Sequence, residues 1–387
     1  MMGETIQSGA LKVAPVTDKA GLNNFLAAAR RAQATNPQWV EQLHDEVAMM
    51  LDPKKSPLAR ANVVQPFVAL RDGEPVGRIV AIIDAAHIAK YGDSCGFFGF
   101  IDAIDDAQVF AALFAEAEQF LRAKGMRRVR GPFNLNINGE SGLLVSGFEH
   151  PHIVQTNHAP PHYRRHIEAL GYGKTVDLLA YVCRIADSAL PEKVARNMAS
   201  VKEAPRIDIH SMSYFSYRRD LPRILSFFNE AWSENLYATP IGVEEGRFIG
   251  DMMLPIAKPK WFNIAMHQGE DIAVVAQIPD VNEALRGLNG KLLPFGAAKL
   301  LWRVHVRGTR RARVMLAGVA KKWRDTTVGM AAIGMLMARS VADARAAGVE
   351  EVEYSWLLEH NSAAIRPVAR MLPARHTRTF RLYEKAL

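Results

Sequence analysis

The stretch GPFNLNINGESGLL, Gly131 to Leu144, places Asn134, Asn136 and Asn138 at alternate positions and Glu140 two residues further on. Asparagine is a poor strand former, and in a strand every second side chain points to the same face. Three amides and a carboxylate at one strand end would offer partners to each polar atom of a buried ligand. Glu140 can accept a proton from an attacking ammonium or hold that ammonium in place. His158 and His162 are alternative bases, since an unperturbed imidazole titrates near neutrality, and Tyr163 follows directly. Two structural readings compete. The asparagines can form a turn-rich surface loop, and Glu140 can cap a helix beginning near Ser141.

A second candidate site reads GVAKKWRDTTVGMAA. Lys321, Lys322 and Arg324 crowd a turn, Thr326 and Thr327 can cap the helix that follows, and Gly329 lets an anion approach the backbone closely. A helix N-terminus supplies free amides and a favourable dipole for phosphate. An ordinary capped helix with a basic loop fits the same residues. The corresponding junction earlier in the chain, GFIDAIDDAQVF, carries Asp102, Asp105 and Asp106 and would repel a pyrophosphate. Asn361, in EHNSAA, can cap the helix after its strand. Cys95 and Cys183 lack His or Cys neighbours at metal spacing, so no metal site is expected, and no GxSxG elbow occurs.

These residues need a scaffold. A chain of 387 residues with 49% apolar and 23% charged content suggests two packed domains. The net charge of +8 suits nucleic acid, anionic lipid or a polyanionic cofactor, and equally a solvated basic surface. The N-terminus has no basic region followed by an apolar run, and no apolar run approaches the ~18 residues of a spanning helix, so a cytoplasmic protein is expected. Three matches recur in the same order in both halves: AKGMRRVR with AAGVEEVE, LGYGKTVDLLAY with LPARHTRTFRLY, and RDGEPVGRIVAIID with HQGEDIAVVAQIPD. The first is a helix, a glycine cap and a strand; the third is a hairpin with a glycine turn.

The common unit reads strand, two helices, hairpin, strand, long helix, strand, helix, strand. In the first half the elements fall near Leu11–Val16, Ala20–Met50, Gln65–Asp84, Gly96–Ile104, Ala107–Ala123, Arg127–Phe133, Pro161–Leu170 and Val176–Cys183. In the second they begin near Ile207 and continue through Leu221–Trp232, Val243–Met253, Trp261–Asp280, Ala312–Val319, Thr327–Ala347, Val349–Leu357, Ala363–Met371 and Thr377–Tyr383. The expected domains are 1–195 and 205–387, with a linker near Leu190–Arg206 and insertions at 134–160 and 283–311.

That order, with VAKKWRDTTVGMAAIGMLMARSVADARAAG followed by EYSWLLEHNSAAIRPVARML, resembles the GNAT N-acyltransferase family. The resemblance covers nearly all of the second half, and the first half looks like a diverged copy. GPFNLNIN and GKLLPFGAAKLLWR resemble the bacterial family that includes ceramide synthases, which N-acylate a long-chain sphingoid base. The resemblance implies an α/β fold of two tandem GNAT-like domains, each a twisted, mainly antiparallel mixed sheet flanked by helices. It implies acyl-CoA as co-substrate and direct attack of an amine on the thioester. The pyrophosphate would sit on Lys321, Lys322, Arg324, Thr326, Thr327 and Gly329, with Asn361 beside the splayed strands or the pantetheine arm. The chain departs from the family's loop, which is Arg or Gln, two residues, Gly, one residue, then Gly or Ala. Gly329 and Ala331 are in register, but Thr326 takes the first position. The family's tyrosine, which protonates the leaving thiolate, has no counterpart in AIRPVARM.

The first half has 45 residues from Gly125 to Leu170 against 24 from Gly348 to Leu372, a surplus of about 21 that holds the Asn, Glu and His residues. This insertion is the expected acceptor site, with Asn134, Asn136, Asn138 and Tyr163 around a head group bearing hydroxyls and an amine. The second insertion, LRGLNGKLLPFGAAKLLWRVHVRGTRRARV, pairs Leu292, Leu293, Phe295, Leu300, Leu301 and Trp302 with Lys291, Lys299, Arg303 and Arg307. It fits a segment in a lipid interface, with Arg310, Arg311 and Arg313 extending the charge toward anionic head groups; a helix packed on the core fits as well. The expected partners are a long-chain amine lipid, an anionic inner-membrane surface held peripherally, and an acyl-carrier protein as alternative donor. RGTRRARV lacks aromatics for base stacking, so no nucleic acid is expected. Two alternatives stand: an aminoacyl or small-amine transferase of the tandem type, and a non-catalytic acyl-CoA- or lipid-binding protein.

Overall fold

The computed structural model describes residues 9–200, 206–362, 365, 368–369 and 372–387. The helix expected over 363–371 lies largely outside the described residues, as does the linker over 201–205. Among the described residues, thirteen strands form one sheet. In chain order they are β1 (Leu11–Pro15), β2 (Val63–Arg71), β3 (Glu74–Ile83), β4 (Cys95–Ala103), β5 (Arg128–Gly131), β6 (Leu143–Ser146), β7 (Gly173–Arg184), β8 (Asp208–Ser211), β9 (Phe262–His267), β10 (Glu270–Pro279), β11 (Arg311–Val319), β12 (Glu351–Leu358) and β13 (Arg375–Ala386).

The repeat seen in the sequence is a repeat of structure. Asp72 and Gly73 turn β2 into β3 with φ of 52° and 85°, and Gln268 and Gly269 turn β9 into β10 with 51° and 81°. Two successive left-handed residues form the hairpin turn whose twist matches the strands, which glycine at the second position makes possible. β3 and β4 are buried almost end to end because helices cover both faces of the sheet, so their sequences run apolar without alternating. Helices Lys19–Ala32 and Ala107–Ala123 both pack on β3, and helix Thr327–Ala346 packs on β10. Among the described residues, no helix is long and apolar enough to cross a membrane.

The strand order is β1-β2-β3-β4-β5-β13-β7-β12-β11-β10-β9-β8, with β6 also pairing β13. The last strand of each half has therefore crossed over. β13 lies between β5 and β7, with Tyr383 opposite Gly131, while β7 pairs β12, with Arg184 opposite Glu351. Glu353 of β12 and Arg378 of β13 meet across this seam as an ion pair, and both are almost wholly buried. Within the stretch expected as the linker, Leu190–Ser200 form a helix held against helix Thr327–Ala346 by Arg345, which donates to Glu192 (2.9 Å) and to the Ser188 carbonyl (2.7 Å).

Two forks open in the sheet. β4 and β5 pair only from Cys95 to Phe97, and β11 and β12 only from Arg311 to Val314, after which each pair of parallel strands separates. Of the three arginines expected to extend the charge toward head groups, Arg310 is exposed and Arg311 and Arg313 are turned into the protein. Arg310 pairs with Glu350 (2.6 Å), Arg311 with Asp280 (3.1 Å), and Arg313 is buried within β11. Arg311 and Arg313 lie on β11, whose pairing with β12 turns alternate side chains into the protein.

Candidate active site

At the first fork the chain leaves β5 and folds back over β4. Phe133 N donates to the Phe98 carbonyl at 2.8 Å, and Asn134 Oδ1 accepts from Phe100 N at 2.7 Å. This close approach needs Gly99, because a Cβ there would stand 1.8 Å from the Phe133 carbonyl oxygen. Gly99→Ala is expected to displace the loop and destabilise the protein by about 1–3 kcal/mol. Thermal denaturation and faster exchange of the Phe100 amide check it.

The three asparagines do not share one face. The segment is a turn, with Asn134 N bonded to the Glu140 carbonyl at 2.9 Å and Asn136 Oδ1 accepting from the amides of Asn138 (3.0 Å) and Gly139 (3.2 Å). Asparagine side chains make such turns by mimicking a backbone carbonyl, which overrides the alternation read as a strand. Asn136 Nδ2 donates to Glu245 (2.9 Å) and Asn138 Nδ2 to the Thr239 carbonyl (3.3 Å), both in the second half. No helix begins at Ser141; the chain bridges back to Phe133 and enters β6.

Asn134 alone of the three lines the adjoining cleft, of about 460 Å³ including its open mouth. Its Nδ2 donates to Glu140 Oε2 at 2.7 Å, and Gln42 Nε2 donates to the same oxygen at 2.9 Å. Burial, and then the neighbouring carboxylate of Glu46, push the Glu140 carboxyl up to about 7 in spite of these bonds. Opposite it, Arg78 donates to Asp102 through Nε at 2.9 Å, and Asp102 Oδ1 accepts from Gln33 (2.8 Å) and from the Tyr163 hydroxyl (3.2 Å). Tyr163 is thus fully buried behind Asp102 and does not line the cleft. Asp102 is a buried, paired carboxylate rather than an exposed repelling one.

His158 lines the cleft, but both ring nitrogens are engaged. Nδ1 accepts from Asn36 at 3.0 Å and Nε2 donates to the His150 carbonyl at 3.2 Å. Burial lowers its pKa to about 4, so it is neutral and holds the loop in place. His162 stands away from the cleft at the start of its helix, with Nε2 on the Ala103 carbonyl at 3.3 Å, and burial lowers its pKa too. Sequence reading missed Gln42, Arg78 and His152. His152 accepts from Val40 N at 3.1 Å and is pushed by burial to about 3. Among the described residues, no group of three His, Cys, Asp or Glu side chains could hold a metal. Burial raises both thiols, Cys95 to about 12 and Cys183 to about 11, which leaves neither nucleophilic.

In the second half, Thr326 caps helix Thr327–Ala346, its Oγ1 accepting from Gly329 N at 3.0 Å. Gly329 has no room for a Cβ, which would lie 2.0 Å from the Trp323 carbonyl; its smallness serves the loop's own fold. Lys321 pairs with Glu234 (2.9 Å), Lys322 with Glu270 (2.7 Å), and Arg324 donates to the Ala231 and Val319 carbonyls. Asn361 follows β12, its amide bonded to the Leu358 carbonyl at 2.8 Å. None of these seven residues lines the cleft of Glu140.

Arg313 ties the first half's insertion to β11 and β12. It lies where β11 and β12 part, with Nε on Ser355 Oγ (2.9 Å) and Nη1 on the carbonyls of Val154 (3.0 Å) and Gln155 (2.6 Å), inside the first half's insertion. The charge of Glu140 acts on it directly, partly offsetting the burial that lowers its pKa to about 10. Val154 N also donates to Asp280 at 3.0 Å, so the insertion is bonded to β11 and to the turn beyond β10 at once.

No family model matches the sequence. The chain is 38% identical over 380 residues to the bacterial ceramide synthase of Caulobacter vibrioides, covering 97% of this chain and 98% of that one. It is 36% identical over 371 residues to protein YghO of Escherichia coli, covering 96% and 94%. Its fold is similar to that of a tandem GNAT protein from the clavulanic acid biosynthesis pathway, with a TM-score of 0.56 and 13% identity over 97% of this chain and 98% of that one. Homology across almost the full length, together with two strand-exchanged halves that share one sheet, shows that this chain belongs to the bacterial ceramide synthase family of tandem GNAT-fold acyl-transfer enzymes.

Proposed function

We propose that the protein N-acylates a sphingoid base with a long-chain acyl group from acyl-CoA. The observation that carries this reading is Glu140. Burial pushes its carboxyl up to about 7, one of its oxygens takes both amide donors, and its loop is bonded to Glu245 of the second half. An ammonium in the cleft would give its proton to Glu140. The freed amine nitrogen attacks the thioester carbonyl, the C–N bond forms, the C–S bond breaks, and the thiolate leaves with the second proton that the acylated nitrogen sheds. Asn134, Arg78 and Asp102 present polar groups to the hydroxyls of such a head group.

The donor's pyrophosphate fits the N-terminus of helix Thr327–Ala346. Lys321, Lys322 and Arg324 supply positive charge there, and their carboxylate partners are exposed; the Lys322 and Glu270 side chains are 66% and 52% exposed. Exposed ion pairs are worth little, so a polyanion can displace the glutamates. Incubation of the purified protein with palmitoyl-CoA and sphinganine should give an N-acyl product by mass spectrometry. Turnover of the same acyl group on a carrier protein alone would change the donor. Absence of product with every long-chain amine and either donor would remove the reading.

A further inference from the structure

The insertion 283–311 forms a short helix, Gly296–Trp302, that continues through a wider turn, Arg303–Arg307. Its inner side, Leu300 and Val304, packs on Ile153 and Val154. Its outer side is apolar as well. Ala297, Ala298, Leu301, Trp302 and Val306 face outward, with Leu293 and Phe295 on the loop before them. Leu293 is 82% exposed, Phe295 79%, Val306 72% and Trp302 54%. Large apolar side chains clustered on an exposed face mark an interaction surface.

The surroundings say what covers it. Lys291, Lys299 and Arg307 flank the apolar residues and are exposed, and no Asp or Glu occurs anywhere from 284 to 324. Pairing with a second copy through this face would bring the same cations against each other. Aromatic and aliphatic side chains ringed by Lys and Arg match a bilayer boundary carrying anionic head groups.

The face also adjoins the cleft. Gly290 accepts from His44 N at 2.9 Å, and Arg286 donates to the carbonyls of Pro37 (2.8 Å) and Gln38 (3.2 Å), beside the cleft-lining Trp39 and Gln42. Ile153 and Val154, under the helix, lie between His152 and Thr156 of the cleft wall.

We propose that Leu293, Phe295, Leu301, Trp302 and Val306 insert into an anionic lipid surface, so that a membrane-dissolved amine passes from the bilayer into the cleft behind them. The lipid contact stands by itself; the delivery of substrate rests on the N-acyltransferase reading above. Co-sedimentation with phosphatidylcholine vesicles containing phosphatidylglycerol should capture the wild type and release most of it at high salt. Phe295→Asp with Trp302→Asp should lower the bound fraction at least about fivefold without changing thermal stability, since both side chains are exposed. Lys291→Glu with Lys299→Glu should abolish the preference for anionic vesicles. Wild-type protein left in the supernatant would overturn the proposal, as would a dimer in light scattering that Phe295→Asp and Trp302→Asp convert to monomer. Vesicle binding without N-acyl product would retain the lipid surface and sink only the reaction. With a short water-soluble amine, the aspartate variant should turn over at the wild-type rate.

Discussion

Glu140→Gln should lower kcat by ~10²–10⁴-fold and abolish the rise of rate with pH, while leaving the affinity for acyl donor unchanged. Glutamine keeps the shape of the side chain, and its carbonyl can still accept from Asn134 and Gln42, so the loop has no reason to move. What it lacks is a basic oxygen. In the wild type the carboxyl is raised from 4.5 to about 7, so the base is present above that pH and protonated below it. The rate should climb through pH 7 and level off above it.

Stability should run the other way. Folding disfavours the ionised carboxylate, so the protein is most stable where Glu140 is protonated in both states, below about 4.5. This contribution is lost as pH rises to about 7, by a total on the order of 3 kcal/mol. The glutamine variant should therefore outlast the wild type at pH 8 and not at pH 4.5. Single-turnover rates across pH and chemical denaturation at both values check the two halves of this statement. A variant at full rate would clear Glu140 of the role of base.

Glu353→Gln should destabilise the protein by about 3–5 kcal/mol, the other large effect expected. Arg378 is 1% exposed, burial already lowers its pKa, and Glu353 is its carboxylate partner across β7. Glutamine leaves the guanidinium charged, dry and unbalanced. Removing both charges should be far milder. Glu353→Leu with Arg378→Met fills similar space with apolar atoms, and replacing a whole buried pair this way is often neutral. Thermal or denaturant melts of the single and double variants decide it. A double variant no more stable than the single would show that the pair's hydrogen bonds, such as Arg378 to the Pro151 carbonyl, carry the stability instead.

The amino-acid sequence determined the parts whose causes are local. The hairpins at Asp72–Gly73 and Gln268–Gly269 follow from residues that tolerate left-handed backbone. The caps at Asp106 and Thr326 follow from side chains that reach their own helix amides. The doubled order of elements, and with it the family, was equally legible. Tertiary structure decided the rest. β7 and β13 are both the buried final strand of their half, and the sequence of such a strand does not name the strand beside it. Only packing could exchange them. The Asn ladder reads as a strand until partners far away in sequence appear: Glu245, 109 residues from Asn136, and Gln42, 98 residues from the Glu140 that Asn134 holds. His158 carries the residue type of a base, yet Asn36 and the His150 carbonyl occupy both of its nitrogens. Burial, partner and protonation are properties of an environment, and this one is assembled from both halves of the chain.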